Sequence, residues 1–454
     1  MIAFQNKPVK ICSFLAILIY YLPGLSLTTV EKDYSDEAYG IIANLETQTV
    51  LRPIFHYHDN IRMMPLGDSI TAGEHRVEPV PGAYRLRLGN YFQSHQLIIN
   101  WVGTLQNPSL TPDFDGDHEG HGGWKISQIK HMINNNLSTY QQTDIVLLMI
   151  GTNDFLGSAM AQDALNDLEA LLNILKRKVP EVKIFVSDIP PINPQGSKES
   201  ANSQNAQQVA DFNGGLAAVV SQVASPNIIY VTVGSQLDLE DINPDGVHPT
   251  KAGYNKMANL WYETLLRPAP LKNIQNLLGS HFNDVITGNE TSNLLVGQGG
   301  DDWLCGTSAT LAGANEQDVL SGGAGADRFI LGDTVQAYYA IRGDRDFVRI
   351  LDFDAREDAL RLHGVADDYR FVQQGNDVYL KLAKYPELIA VLEHTSVRDL
   401  SPLSFEFIHR SDNSKLTTNN PPNTNPAMCC RHHCNRRVAQ DAWETTAVGT
   451  TGLS

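Results

Sequence analysis

Between positions 61 and 266, short apolar runs alternate with segments whose apolar residues recur every three or four positions. The runs 61–66, 97–102, 144–150, 182–189 and 228–233 have the length and continuity of strands buried on both faces. Between them Tyr84, Leu88, Tyr91 and Phe92, then Ile126, Ile129 and Ile133, then Leu165, Leu168, Leu172 and Leu175 fall at helical spacing, as do Met257, Leu260, Trp261 and Leu265 at the end. Five strands alternating with helices predict an α/β unit, a mostly parallel five-stranded sheet covered on both faces.

After Pro268 and Pro270 the period changes to nine. The blocks 283–288, 292–297 and 301–306 repeat in strict register, and after an insertion the pattern resumes at 317–322 and 326–330. Ile286, Leu295, Leu304, Leu320 and Phe329 occupy the inward place, and glycine turns between them present acids. This predicts an all-β parallel roll with carboxylates facing outward from its turns. Stacked acidic turns repel one another unless a cation lies between them, and Ca²⁺, which takes six to eight oxygens, fits them. Asp284, Asp302, Asp318 and Asp327 are the candidate ligands, with Asn293 as a weaker substitute.

The ends carry different signals. Lys7 and Lys10 precede an apolar run at 11–22, followed by Gly24 and Ser26, the build of a signal peptide over 1–26 rather than a membrane span. Residues 27–60 show little periodicity and read as a lead-in, 61–268 as the α/β domain, 269–280 as a linker and 281–410 as the roll with a β-rich cap. The stretch 411–454 is polar and rich in Pro, Asn and Thr, and is expected to be disordered. Its Cys429-Cys430-Arg431-His432-His433-Cys434 cluster is too crowded to wrap a tetrahedral zinc ion.

At 454 residues and 42% hydrophobic content the chain is long enough for two cores. A net charge of −17 argues against a nucleic-acid partner. Five cysteines without framework spacing argue against a disulfide scaffold.

Chemistry concentrates at the ends of the predicted strands. Gly67-Asp68-Ser69 follows the first strand, Gly103 the second, Gly151-Thr152-Asn153-Asp154 the third, and Asp245-Gly246-Val247-His248-Pro249 the last. The carboxyl ends of parallel strands converge on one crevice. A serine hydroxyl needs a base to take its proton, the role open to His248, and Asp245 three residues earlier would fix the imidazole tautomer. Ser69 N–H, Gly103 N–H and the Asn153 amide are the candidate oxyanion donors. Taken singly, each has a plainer reading as a helix cap, a turn residue or a loop histidine.

Together these four blocks resemble those of the SGNH (GDSL) hydrolases over roughly 62–266. The resemblance implies a three-layer α/β/α ester hydrolase using Ser69, Asp245 and His248 as its triad, with no cofactor for catalysis. The segment His118-Glu119-Gly120-His121-Gly122-Gly123-Trp124 is similar to the acetyl-xylan-esterase-like branch, which often carries serine where this chain has Gly122. It points to His118, His121 and Trp124 as substrate contacts and to an acylated polysaccharide as substrate. The alternating acids of 113–119 depart from an EF-hand loop, since His118 stands at the turn glycine and Trp124 at the bidentate glutamate. The nonapeptides resemble RTX (haemolysin-type) calcium-binding repeats, and that resemblance implies secretion. The expectation is a secreted serine esterase with a calcium-binding roll. A lipid or short-chain carboxylesterase, or a calcium-dependent adhesion protein keeping a glycan-binding hydrolase remnant, are the alternatives.

Overall fold

Residues ahead of the α/β domain in sequence turn out to be strands of the roll that follows it. A computed structural model describes residues 32–408, except 56–60, 74–79, 96, 109–113, 136–142, 158, 309 and 386. The expected signal peptide, the tail and its Cys/His cluster lie outside the described residues. The first strands are β1 (Lys32–Asp33), β2 (Ile42–Asn44) and β3 (Thr49–Leu51).

The α/β unit then begins with β4 (Ile61–Gly67) and continues with β5 (Ile99–Trp101), β6 (Leu105–Gln106), β7 (Asp117–Gly120), β8 (Ile145–Met149), β9 (Lys183–Ser187) and β10 (Ile228–Val231). The sheet order is β10-β9-β8-β4-β7-β6, with β5 also paired to β4. The five expected strands are all parallel neighbours. Two short strands add to them: β7 takes over the edge of β4 where β5 leaves it, pairing Leu66 with Glu119 and Gly67 with Gly120, and β6 runs antiparallel to β7. The sheet is sandwiched between helix layers. Arg85–Ser94 packs with Lys251–Leu266 in one layer, and Ala161–Lys178 packs between Ile126–Asn135 and Ser203–Val223 in the other. Leu165, Leu168, Leu172 and Leu175 are the buried stripe of the central helix.

Past this unit come β11 (Ala269–Pro270), β12 (Asn276–Leu278), β13 (Val285–Asn289), β14 (Leu294–Gly299), β15 (Trp303–Thr307), β16 (Gln317–Ala324), β17 (Arg328–Ile330), β18 (Phe347–Ile350) and β19 (Ala359–His363). A hairpin, β20 (Tyr369–Gln374) and β21 (Asp377–Leu382), precedes β22 (Leu388–Leu392) and β23 (Phe405–Ile408). Successive strands alternate between two eight-stranded sheets, β1-β12-β14-β16-β18-β22-β21-β20 and β11-β3-β2-β13-β15-β17-β19-β23. One turn of the roll is two nonapeptides, so partners such as Asp284 and Asp302 are 18 residues apart; the insertion lengthens the next turn to 25. Ile286, Leu295, Leu304, Leu320 and Phe329 are fully buried inside it.

The expected boundaries change accordingly. The lead-in supplies the first rung of the roll: β1 pairs with β12, and β2 pairs with β13 while forming a hairpin with β3. The expected linker is no linker, since β11 pairs with β3 and β12 with β14. The α/β unit is therefore inserted between β3 and β11, and its entry and exit run side by side, Arg52 N–H donating to Leu266 O and Ile54 N–H to Leu265 O. Ile42, Leu51 and Val285, from strands of the roll and its first rung, pack into the core of the α/β unit.

Candidate active site

Strand β4 ends in a turn that only small residues can make. A Cβ on Gly67 would collide with the carbonyl of Met149 on the neighbouring strand β8. Asp68 caps the short helix Ser69–Ala72, its Oδ1 accepting from Ile70 N–H at 2.9 Å, and Gly73 closes the helix in the left-handed conformation. Asp68 is an organiser of the turn and not a partner of the histidine. Burial pushes its carboxyl up to about 7, against the Ile70 hydrogen bond and with Asp154 adding repulsion.

At the mouth of this turn Ser69 Oγ lies 2.9 Å from His248 Nε2, and His248 Nδ1 lies 2.6 Å from Asp245 Oδ2. Asp245 Oδ1 accepts from Val247 N–H at 2.9 Å and His248 N–H at 3.0 Å, so the acid and the imidazole are locked in one tight loop. Burial works against the Asp245 charge, but the hydrogen bonds from His248, Val247 and Lys198 hold its carboxyl well below the usual carboxylate range. With Nδ1–H aimed at Asp245, Nε2 is left as the acceptor facing the hydroxyl. A hydroxyl, an imidazole and a carboxylate in this chain are able to pass a proton from the first to the second.

Lys198 is a member of this group that sequence reasoning missed. Its Nζ lies 3.0 Å from Asp245 Oδ2 and 3.4 Å from His248 Nδ1. It arrives on a loop strapped to the Asp245 loop by Asn193 N–H to Gly246 O and Ser197 N–H to Pro244 O. A single lysine in a polar loop carries no sequence signal.

The structure redraws the surroundings. Residues 117–120, which show no apolar alternation in the sequence, form β7. His118 is buried, its Nδ1 accepting from Gly120 N–H at 3.1 Å, and burial lowers its pKa to about 4. It is a core histidine and not a substrate contact. The backbone of His118 also occupies the place where a Cβ on Gly103 would lie, so Gly103 is needed for the approach of β7 as well as for an open cleft. His121 stacks on Trp124 with ring centroids 4.0 Å apart, which covers one face of the indole. Asn153 donates from Nδ2 to Trp124 O at 3.0 Å, which engages one of its two amide hydrogens.

Residues 66–256 match the GDSL-like lipase/acylhydrolase family, and residues 278–309 and 308–333 match the RTX calcium-binding nonapeptide repeat. The chain carries a GDSL-type acylhydrolase domain joined to RTX repeats. A multidomain esterase of Ruminococcus flavefaciens is 30% identical over 226 residues, 45% of this chain and 28% of that protein. The chain spans 28% and 56% of the lengths of two curated relatives. Among solved structures, a Clostridium thermocellum family 3 carbohydrate esterase is 33% identical, covering 45% of this chain and 94% of that one, with a TM-score of 0.38. A family 3 carbohydrate esterase from Talaromyces cellulolyticus is 26% identical, covering 45% and 96%, with a TM-score of 0.36.

In the RTX part the carboxylates turn inward, contrary to the outward-facing arrangement expected. Each is spent on the rung before it: Ile41 N–H donates to Asp284 Oδ1, Asp284 N–H to Asp302 Oδ1, Asp302 N–H to Asp327 Oδ1, and Asp327 N–H to Asp358 Oδ1. Asp358 extends this ladder beyond the recognised repeats, where no glycine marks it in the sequence. Asn293 is internally satisfied through Gln275 O and Asn289, and Asp318 takes Asn293 N–H on one oxygen and Tyr339 O–H on the other. Both oxygens of Asp284 are likewise engaged. Asp302 and Asp327 each keep a buried Oδ2 with no protein partner. Those two orphaned oxygens fit a cation. Among the described residues no group of three or more His, Cys, Asp or Glu is gathered for a metal, so a site here would draw on backbone carbonyls of the turns as well.

Among the described residues no helix is long and apolar enough to cross a membrane.

Proposed function

We propose that this acylhydrolase is a secreted serine esterase that removes short acyl groups, acetyl above all, from a polysaccharide such as xylan. The observation that carries the reading is the unbroken chain from Ser69 Oγ through His248 to Asp245, at 2.9 and 2.6 Å. Ser69 Oγ attacks the acyl carbon as its proton passes to His248 Nε2, and Asp245 stabilises the imidazolium so formed. Negative charge on the former carbonyl oxygen is met by Ser69 N–H, Gly103 N–H and the remaining amide hydrogen of Asn153. Collapse of this intermediate breaks the ester C–O bond, and His248 returns the proton to the departing sugar hydroxyl. Water then attacks the acyl-serine, giving a proton to His248; the bond between the acyl carbon and Ser69 Oγ breaks, the free acid departs and Ser69 Oγ takes that proton back from His248.

The polysaccharide assignment is supported by the half-buried His121–Trp124 stack beside the nucleophile turn, whose exposed part would give a sugar ring an apolar surface. In the roll, Asp302 and Asp327 would hold calcium, whose charge would offset their stacked carboxylates; secretion is the setting that RTX repeats suit. A panel of p-nitrophenyl esters and acetylated polysaccharides tests the substrate class. Activity falling with acyl chain length and acetate released from acetylated xylan agree with the proposal; activity rising with chain length points to a lipid esterase instead.

A further inference from the structure

Glu119 is a fully buried carboxylate beside the nucleophile strand, and it takes three hydrogen bonds. Thr104 N–H donates to Oε2 at 2.7 Å, Thr104 Oγ1 donates to Oε1 at 2.8 Å, and His121 Nε2 lies 2.7 Å from Oε1. Burial opposes its charge, yet these bonds hold its carboxyl below the ordinary value. A buried charge kept in this way persists because its donors are fixed in place.

The partners lead to two different loops. Thr104 follows Gly103, and Val102 N–H is held by Met63 O at 3.0 Å, so the Gly103 peptide is pinned on both sides. His121 donates its backbone N–H to Gly67 O and stacks on Trp124, whose carbonyl accepts from Asn153 Nδ2. Glu119 thus stands where the path to one candidate donor meets the path to the other.

We propose that Glu119 is a positioning residue that sets both oxyanion donors at once, Gly103 through Thr104 and Asn153 through the stacked pair His121 and Trp124. This rests on the assignment of Gly103 and Asn153 as oxyanion donors. It gives the His121–Trp124 pair a second duty besides facing substrate, that of a prop under Asn153. Because a hydrogen bond to an oxyanion weakens steeply with misalignment, loosening the prop lowers kcat and leaves ground-state binding alone.

The test uses the full chain with Glu119→Gln, Asn153→Ala and the double variant, assayed on p-nitrophenyl acetate and with an aryl boronic acid, whose adduct with Ser69 mimics the tetrahedral intermediate. Glu119→Gln is expected to lower kcat by about 10- to 100-fold with KM within about twofold, and to weaken the boronic acid by a similar factor. The losses of Glu119→Gln and Asn153→Ala should combine to less than their product, since one acts partly through the other. An unchanged kcat in Glu119→Gln, a change confined to KM, or fully multiplicative losses would overturn the proposal. If Asn153→Ala alone leaves kcat and boronic acid affinity unchanged, the donor assignment fails, a result separable from failure of Glu119. Should Glu119→Gln not fold, His121→Phe keeps a ring on Trp124 while removing the bond to Glu119. A parallel fall in kcat and boronic acid affinity then supports the proposal, and its absence contradicts it.

Discussion

Lys198 Nζ lies 3.0 Å from Asp245 Oδ2, the same carboxylate oxygen that faces His248 Nδ1 at 2.6 Å. The acid that orients the imidazole is therefore shared with a lysine. Because the lysine side chain is 39% exposed, solvent screens much of its field. Lys198→Met is expected to lower kcat by about two- to tenfold, since Asp245 keeps its bonds from Val247 N–H and His248 N–H, and Lys198→Arg to leave kcat within about twofold. Steady-state kinetics of both variants on p-nitrophenyl acetate check this; an unchanged kcat in Lys198→Met would refute the coupling.

Asp68 makes the opposite kind of prediction, on stability. Its folded pKa of about 7 is raised above the unfolded value, so its contribution is intact below about pH 4 and is lost as the pH rises toward 7. Asparagine keeps the cap on Ile70 N–H and carries no charge. Relative to the parent, Asp68→Asn should therefore gain about 1–3 kcal/mol of stability between pH 5 and pH 8, read from urea unfolding at the two values. Equal pH dependence in the two proteins would show that Asp68 is already ionised at neutral pH in the fold.

The placement of the first strands predicts that the roll depends on residues that precede the acylhydrolase domain. Ile41 is fully buried with Leu277 and Ile286, and its N–H is held by Asp284 Oδ1 at 2.6 Å. Ile41→Ala should cost the roll about 2–5 kcal/mol in calorimetry while p-nitrophenyl acetate turnover at room temperature stays near the parent value. Removing calcium with a chelator should lower that same transition and leave the acylhydrolase transition largely unchanged; calcium at about 100 times its Kd is worth about 2.7 kcal/mol. A roll transition indifferent to chelator would contradict cation binding at Asp302 and Asp327.

What was readable in the sequence follows from the range of the interactions. The five parallel strands and their helices announce themselves through local periodicity, and Ser69, Gly103, Asn153 and His248 stand at or beyond strand ends where a shared crevice is a consequence of topology. Strand β7 is hidden because Asp-His-Glu-Gly has almost no strand propensity and forms by pairing with the end of β4 on one side and with β6 on the other. The first rung was hidden for a related reason: β1 to β3 are two or three residues long, and β1 and β2 find partners across the whole acylhydrolase domain. The inward direction of the roll carboxylates is not legible because composition marks an acidic turn without saying whether its oxygens face water or the backbone amides of the preceding rung. Lys198 and Glu119 show the same limit, each meaningful only through the residues it touches.

Ser69 as the nucleophile of an esterase acting on acetylated polysaccharide is tested by acetate release from acetylated xylan, measured on the full chain and its Ser69→Ala variant. Steady release is expected from the parent protein, with a fall of at least about 10³-fold, to the uncatalysed background, in the variant. Release undiminished in Ser69→Ala would contradict that role.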